Sequence, residues 1–450
     1  MKRVLNSAAL GSRLATAGAV FQKDRWPGAV LAGIAGIAII VFRFRLWQFD
    51  LSVPLSYRQD ALYFQVMVKA LGEGAWNDHI ARLGAPFGLD MVDFPIRCSL
   101  DYLVMKVFML LLHNPFLVVN VYWLVSVGLA GAAAVLFFRY LQVGALASTT
   151  FGVLFAIIPF VFFRSVAHLN LVTYLVPAGA FLAMAVVRGD ILERGMIASG
   201  KLQKLVGPAL LCLAIGLTYG YWAFFSCILI ALGALVGLYR QRKVWILPSA
   251  ALLIALIGLG TLINVGPSLA YWRRNGRDSE LSYKNKVDAD TYGLRVRQML
   301  TPVAYNGLPL LQRIRGTIVG AGFPEDAKDA NESVSATLGT LGSIGFVLLL
   351  VIALATCAKG ADSGFPETPR ILAALTIGLV LIAHTGGLGG FFNIFVTSEF
   401  RCYNRVSPFI SLFSLAVLAQ YFDRILARSS ALVRVGVSVG LITFAAFDQI

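Results

Sequence analysis

Long apolar runs separated by short polar or basic stretches recur from residue 27 to residue 447, and this pattern constrains the fold more than any motif does. A helix needs about 20 mostly apolar residues to cross a bilayer, because in hydrocarbon its backbone polar groups must pair within the segment. Runs near 27–46, 115–138, 146–163, 169–187, 205–218, 220–239, 244–265, 338–357, 371–386, 406–422 and 433–447 predict about eleven transmembrane helices. The stretch 205–239 is too long for one helix at about 1.5 Å per residue, so it breaks at Thr218-Tyr219-Gly220-Tyr221. The expected fold is an all-α polytopic membrane protein, a single integral membrane domain over 1–450. Only 14% of residues are charged, against about 25% in soluble domains, which excludes a soluble globular chain. An apolar share of 58% excludes disorder. Five cysteines are too few for a disulfide scaffold. A net charge of +15 would suit nucleic acid, but the Lys and Arg residues sit in membrane-loop positions, so membrane lipids are expected as partners and nucleic acid is not.

Loop charge predicts orientation, since cytoplasmic loops carry the excess of Lys and Arg. With the N-terminus inside, one set of segments holds eighteen basic residues: Lys2, Arg3, Arg13, Lys23, Arg25, Arg139, Arg188, Arg194, Lys201, Lys204, Arg240, Arg242, Lys243, Lys359, Arg370, Arg424, Arg428 and Arg434. The short loops of the other face hold three: Arg164, Arg401 and Arg405. Arg43 and Arg45 run against the trend and are placed to snorkel. This topology predicts a multi-pass cell membrane protein, inner or plasma, with two long outer segments, 47–114 and 266–337. The chain stops at Asp448-Gln449-Ile450, a span exit, which predicts a further outer-face region in a longer native protein.

The first outer segment has a helical pattern at 60–71, with Leu62, Val66, Met67, Ala70 and Leu71 at helical spacing, and a second apolar stretch at 100–112. Thirteen residues are too few to span, so both read as interfacial helices. Asp60 opens the first. It is either an N-cap or a functional carboxylate at the membrane boundary.

A basic start, one span, an outer loop with an early Asp and two surface helices, many further spans and a second outer loop: this order resembles the GT-C class of membrane glycosyltransferases. Arg82–Phe87, Ala167–Tyr174 and Arg401-Cys-Tyr-Asn-Arg405 are also similar to a group of bacterial membrane proteins of that type. The resemblance implies a sugar donor linked to polyprenyl phosphate, a lipid or glycan acceptor, an active site on the extracytoplasmic face, and a catalytic base at Asp60. It also implies that the second outer loop covers the site and selects the acceptor, which makes Glu332 a candidate acceptor contact. Members of the class often carry paired acidic residues at the Asp60 position. Here the neighbours are Gln59 and Ala61, so no metal ligand and no cofactor is expected.

The residues themselves carry the same chemistry. A glycosyl phosphodiester loses a phosphate anion, so transfer needs a base for the acceptor hydroxyl and cations for the departing phosphate. A single carboxylate opposite the leaving group gives inversion, whereas retention uses a second one as nucleophile. Arg164, His168, Arg401 and Arg405 are the candidates for the donor phosphate, each alternatively a helix anchor or structural hydrogen-bonder. Tyr403 and Asn404 beside Arg405 are the further substrate-binding candidates. Glu399 is the expected salt-bridge partner of Arg401, or else a second carboxylate. Two other classes compete: a lipid or polysaccharide transporter or flippase, which would want polar residues along its spans, and a polysaccharide polymerase or ligase working with Arg and His alone. His79, His113, His168 and His384 lack metal-ligand spacing. Gly339, Gly342 and Gly345 suit close helix packing, and Gly386–Gly390 a turn or hinge. Cys98 and Cys402, both outside, are the one pair placed for a disulfide, with separate thiols the more expected state.

Overall fold

The computed structural model describes residues 25–58, 60–76, 78–94, 97–192, 201–278, 284–322 and 332–449. Lys2, Arg3, Arg13, Lys23, Gln59 and Arg194 lie outside the described residues. The molecule is almost entirely helical. Its one described sheet is a two-residue ribbon pairing His79–Ile80 with Leu89–Asp90 in the segment between the first two spans.

Each of the eleven apolar segments contains a helix, and eight helical segments among the described residues are long and apolar enough to cross a membrane. The chain is a multi-pass membrane protein. Three of the eleven expected segments hold shorter helices: Val176–Arg188, Val206–Leu217 and Glu367–Ala383 have 13, 12 and 17 residues. At about 1.5 Å per residue, 12 residues reach roughly 18 Å, well short of the ~30 Å hydrocarbon core. The long apolar run breaks at Thr218-Tyr219, where both residues turn extended between Val206–Leu217 and Gly220–Gln241. The third span breaks too. It stops at Ala156, restarts at Pro159, whose missing N–H costs nothing at a helix start, and ends in a 3-10 turn over Ser165–Leu171.

Two features differ from expectation. The helix expected to end near 265 runs on from Ile246 to Asn275, through Pro267, so the segment that follows it starts about ten residues later. The helix Ala61–Gly72 buries Phe64, Met67, Val68 and Leu71 in the protein and exposes Leu62 and Val66, so only part of its apolar surface faces outward. The neighbouring helix Ser99–Leu112 leaves Leu103, Val107, Leu110 and Leu111 exposed.

Close approach of helices sets the bundle. A Cβ on Gly216 would meet Ile257 O at 2.4 Å, and one on Gly260 would meet Leu213 O at 2.7 Å, so these two glycines let Val206–Leu217 and Ile246–Asn275 pack backbone to backbone. Gly345 does the same against Ser414 O, at 2.3 Å. Near the first contact, the buried Asn264 amide donates to Thr218 O (2.8 Å), Gly216 O (3.4 Å) and Arg97 O (3.3 Å), and accepts from Ser99 N and Oγ (3.1 and 2.7 Å). It satisfies carbonyls that the break at Thr218 leaves without helical partners, and it ties the outer segment to the bundle.

The loops around Arg139, Arg188, Gln241 and Asp423 are bonded to one another: Arg188 to Tyr140 O, Gln241 to Val187 O, and Gly144 N to Asp423. Helices Gly220–Gln241 and Ser407–Ile425 run from this end to the opposite one, where Asp60, Glu332 and Arg405 gather. The basic loops and the candidate site therefore occupy opposite ends of the bundle.

Candidate functional site

Asp60 precedes the helix Ala61–Gly72 but does not cap it, since its side chain makes no capping hydrogen bond. The carboxylate instead faces a cavity of about 970 Å3. Its Oδ2 lies 4.0 Å from His168 Nε2, and its side chain is 46% exposed. Burial pushes the Asp60 carboxyl above its ordinary value; Arg405 and Arg164 pull it down, and Glu332 pushes it further up. A carboxylate raised in this way is the better proton acceptor near neutral pH.

The cavity also brings together Arg164, His168, Glu332, Arg401 and Arg405, from chain positions as far apart as 60 and 405. Local breaks in helix geometry aim them. Arg164 ends the short helix after Pro159, where Ser165 takes φ 39°. Arg405 sits in the 3-10 turn Tyr403–Val406, and Glu332 opens the turn Glu332–Ala336. Arg405 grips Glu332 with Nε at 3.2 Å and with Nη2 at 2.9 and 3.2 Å from the two carboxylate oxygens. Arg164 Nη2 lies 2.8 Å from Glu332 Oε2 and donates to Ser335 Oγ at 2.8 Å. Arg405 Nη1 donates to Tyr219 Oη at 3.3 Å, and its guanidinium lies 4.6 Å from the Tyr221 ring centre. The break at Thr218-Tyr219 delivers those two tyrosines. Burial alone would raise the Glu332 carboxyl, but Arg405 and Arg164 outweigh it and hold it down at about 2. Glu332 is thus an anion clasped between two guanidiniums on the cavity wall.

A second cationic set lines the same cavity. Arg277 Nη2 lies 2.5 Å from Glu399 Oε1, and Lys284 Nζ donates to Glu399 Oε2 at 2.7 Å. The expected Glu399–Arg401 bridge is replaced by these two pairs. Arg401 lies over the Tyr292 ring at 5.1 Å, with Asp288 at 3.8 Å. Glu399 precedes Arg401 by two residues, but the turn points the two side chains to different partners. Tyr403 and Asn404 do not line the cavity. Tyr403 Oη donates to Asn393 Oδ1 at 2.9 Å, and Asn404 Nδ2 donates to Ser333 Oγ at 3.3 Å. Both are buried and hold the turn that presents Arg405.

Sequence reasoning missed Arg97, Arg277, Lys284 and Trp272 as lining residues. Arg97 is 4% exposed and bonds Ser268 Oγ, Asp78 and Val92 O, which no spacing announces. Cys98 and Cys402 are both free and buried. Among the described residues, no group of three or more His, Cys, Asp or Glu is placed to hold a metal ion.

No family profile matches the chain, and no curated protein matches it in sequence. Among solved structures it is similar to the apo form of the Archaeoglobus fulgidus oligosaccharyltransferase, with 14% identity and a TM-score of 0.46, over 94% of this chain and 55% of that one. The chain therefore spans about half the length of that solved chain.

Proposed function

We propose that the protein is an inverting membrane glycosyltransferase of GT-C type, which moves a sugar from a polyprenyl-phosphate donor to a lipid or glycan acceptor on the extracytoplasmic face of the cell membrane. The observation that carries this reading is the meeting, in one cavity at one end of the bundle, of a carboxylate with a raised pKa and a pair of guanidiniums already clasping an anion. In the reaction, Asp60 takes the proton of the acceptor hydroxyl. The hydroxyl oxygen bonds to the anomeric carbon as the carbon–oxygen bond to phosphate breaks, and the electron pair leaves on the phosphate. Arg164 and Arg405 stabilise that developing charge. Glu332 holds the two guanidiniums in place beside the cavity, and His168 borders the base. Among the described residues, the two other carboxylates that line the cavity, Glu332 and Glu399, are each engaged with cations, which favours inversion over a retaining mechanism with a second carboxylate as nucleophile.

Loop charge supports the extracytoplasmic side. The basic loops lie at the opposite end of the bundle from the cavity, and Lys/Arg-rich loops stay in the cytoplasm. Tyr305, 80% exposed in the second outer segment, and Tyr239, 88% exposed near the basic loops, supply a test. An impermeant thiol reagent applied to intact cells should label Tyr305→Cys and spare Tyr239→Cys; the reverse pattern would invert the assignment.

Asp60→Asn tests the mechanism. The amide keeps the shape and cannot accept the proton, so transfer from a polyprenyl-phosphate sugar should fall by about 100-fold or more, with expression and melting temperature retained. In the wild type, transfer should rise with pH through a midpoint above the ordinary aspartate value. Full activity of purified Asp60→Asn would remove Asp60 as the base.

A further inference from the structure

We infer that the cavity holds a second oxyanion site, formed by Arg277, Lys284 and Arg401, which takes a phosphate or carboxylate group of the acceptor. The inference rests on the transferase reading for the word acceptor; the binding itself does not depend on it.

Glu399 already occupies such a site. Its two carboxylate oxygens go to two different cations, at 2.5 Å from Arg277 and 2.7 Å from Lys284, which is how a bound phosphate or carboxylate would be shared. Arg401 stands on the same wall. Its nearest carboxylate, Asp288, is at 3.8 Å, beyond hydrogen-bond reach. Its backbone is nevertheless fixed, since the N–H groups of Arg401 and Cys402 both donate to Tyr221 Oη at 3.1 Å. The head group rests on the Tyr292 face, and the Arg401 side chain is 37% exposed. This is a preorganised guanidinium facing a cavity without a close anion of its own.

The set is separate from the donor clamp. Among the described residues, no hydrogen bond or ion pair joins Arg277, Lys284, Glu399 or Arg401 to Arg164, Glu332 or Arg405. The cavity has room for both. About 970 Å3 stands at the upper end of the roughly 300–1,000 Å3 typical of ligand pockets, enough for two head groups side by side. Trp272 closes the wall beside the second site, with Arg277 at 4.8 Å from its ring centre. A cation held on an aromatic face in this way keeps its donors available to an anion.

The test uses the full-length protein in phosphatidylcholine nanodiscs, read by titration calorimetry. Farnesyl monophosphate is titrated first, as the probe of the Arg164–Arg405 clamp. With that compound saturating, methyl phosphate is titrated in one arm and glucuronate in the other. One arm should bind with one-to-one stoichiometry, and the arm that binds names the anion. Arg277→Gln combined with Lys284→Gln should weaken that binding by about tenfold or more, while farnesyl monophosphate affinity, the check on folding, stays within about twofold. Glu399→Gln removes the resident carboxylate and should tighten it about threefold or more. No binding in either arm, or binding unchanged in the double variant, overturns the second site. Failure of farnesyl monophosphate to bind the wild type would overturn the donor clamp alone, and the two arms are read equally well without it.

Discussion

Glu332 and Glu399 do the same thing at two places in one cavity, each cross-linking two cations, yet their surroundings differ. Glu332 is 27% exposed, and its partners Arg164 and Arg405 are 5% and 7% exposed. Glu399 is 40% exposed, and its partners Arg277 and Lys284 are 50% and 18% exposed. Screening by water makes the difference one of energy. A buried charge stripped of its partner is costly, whereas an exposed pair contributes little. The first cluster is therefore a fixed part of the fold as well as of the proposed chemistry, and the second is an exchangeable contact.

Arg405→Gln should break this comparison most severely. It leaves Glu332 with Arg164 alone and frees the Tyr219 hydroxyl, and it should cost about 3 kcal/mol or more of stability, read as a lower melting temperature in detergent. Donor binding should be lost with it. A variant that melts with the wild type would show that the buried cluster carries no more weight than the exposed one.

Acid should separate the two carboxylates next. Glu332 sits at about 2 in the folded protein, below the roughly 4.3 of an unfolded glutamate. A depressed folded pKa means a contribution present in full above the unfolded value and lost as pH falls toward the folded one. The window is therefore about pH 4.5 down to 2, and the contribution is on the order of 3 kcal/mol. In Glu332→Gln the part of acid destabilisation that falls in this window should disappear. Burial raises the Glu399 carboxyl, and Lys284 and Arg277 hold it below its ordinary value, but the cluster is open to solvent. Glu399→Gln should change stability by no more than about 1 kcal/mol, with an effect that fades as salt is added. An acid profile of Glu332→Gln that overlays the wild type would remove the distinction.

What was legible in the sequence was what depends on neighbours along the chain. Apolar run length gave the spans, and the excess length of 205–239 gave the break at Thr218-Tyr219. The helix beginning at Ala61 followed from helical spacing, and the short helix Ser99–Leu112 from an apolar stretch too short to span. Asp60, Arg164, His168, Glu332, Arg401 and Arg405, chosen one by one from loop positions, come together around one cavity. What was illegible depends on tertiary partners. Glu399 finds Arg277, 122 residues away, instead of Arg401 two residues on. Tyr403 and Asn404 look inward because a 3-10 turn rotates them away from the cavity. Pro267 does not stop its helix, and Ser268 Oγ, one residue on, ties that helix to the segment before Arg97 by donating to Val92 O at 2.6 Å. Three of the expected spans hold helices shorter than their apolar runs, because composition reports apolarity more reliably than where a helix ends.

The Asn264 amide has a consequence for how the protein meets membranes of different thickness. Helices relieve a mismatch with the bilayer by tilting, at a cost of only fractions of a kcal/mol per ångström. The helix Ile246–Asn275 cannot tilt alone, because Asn264 binds it at once to the carbonyls beside the Thr218 break and to Arg97 and Ser99 at the cavity rim. Bilayer thickness therefore acts on these hydrogen-bonded elements together rather than on one helix at a time.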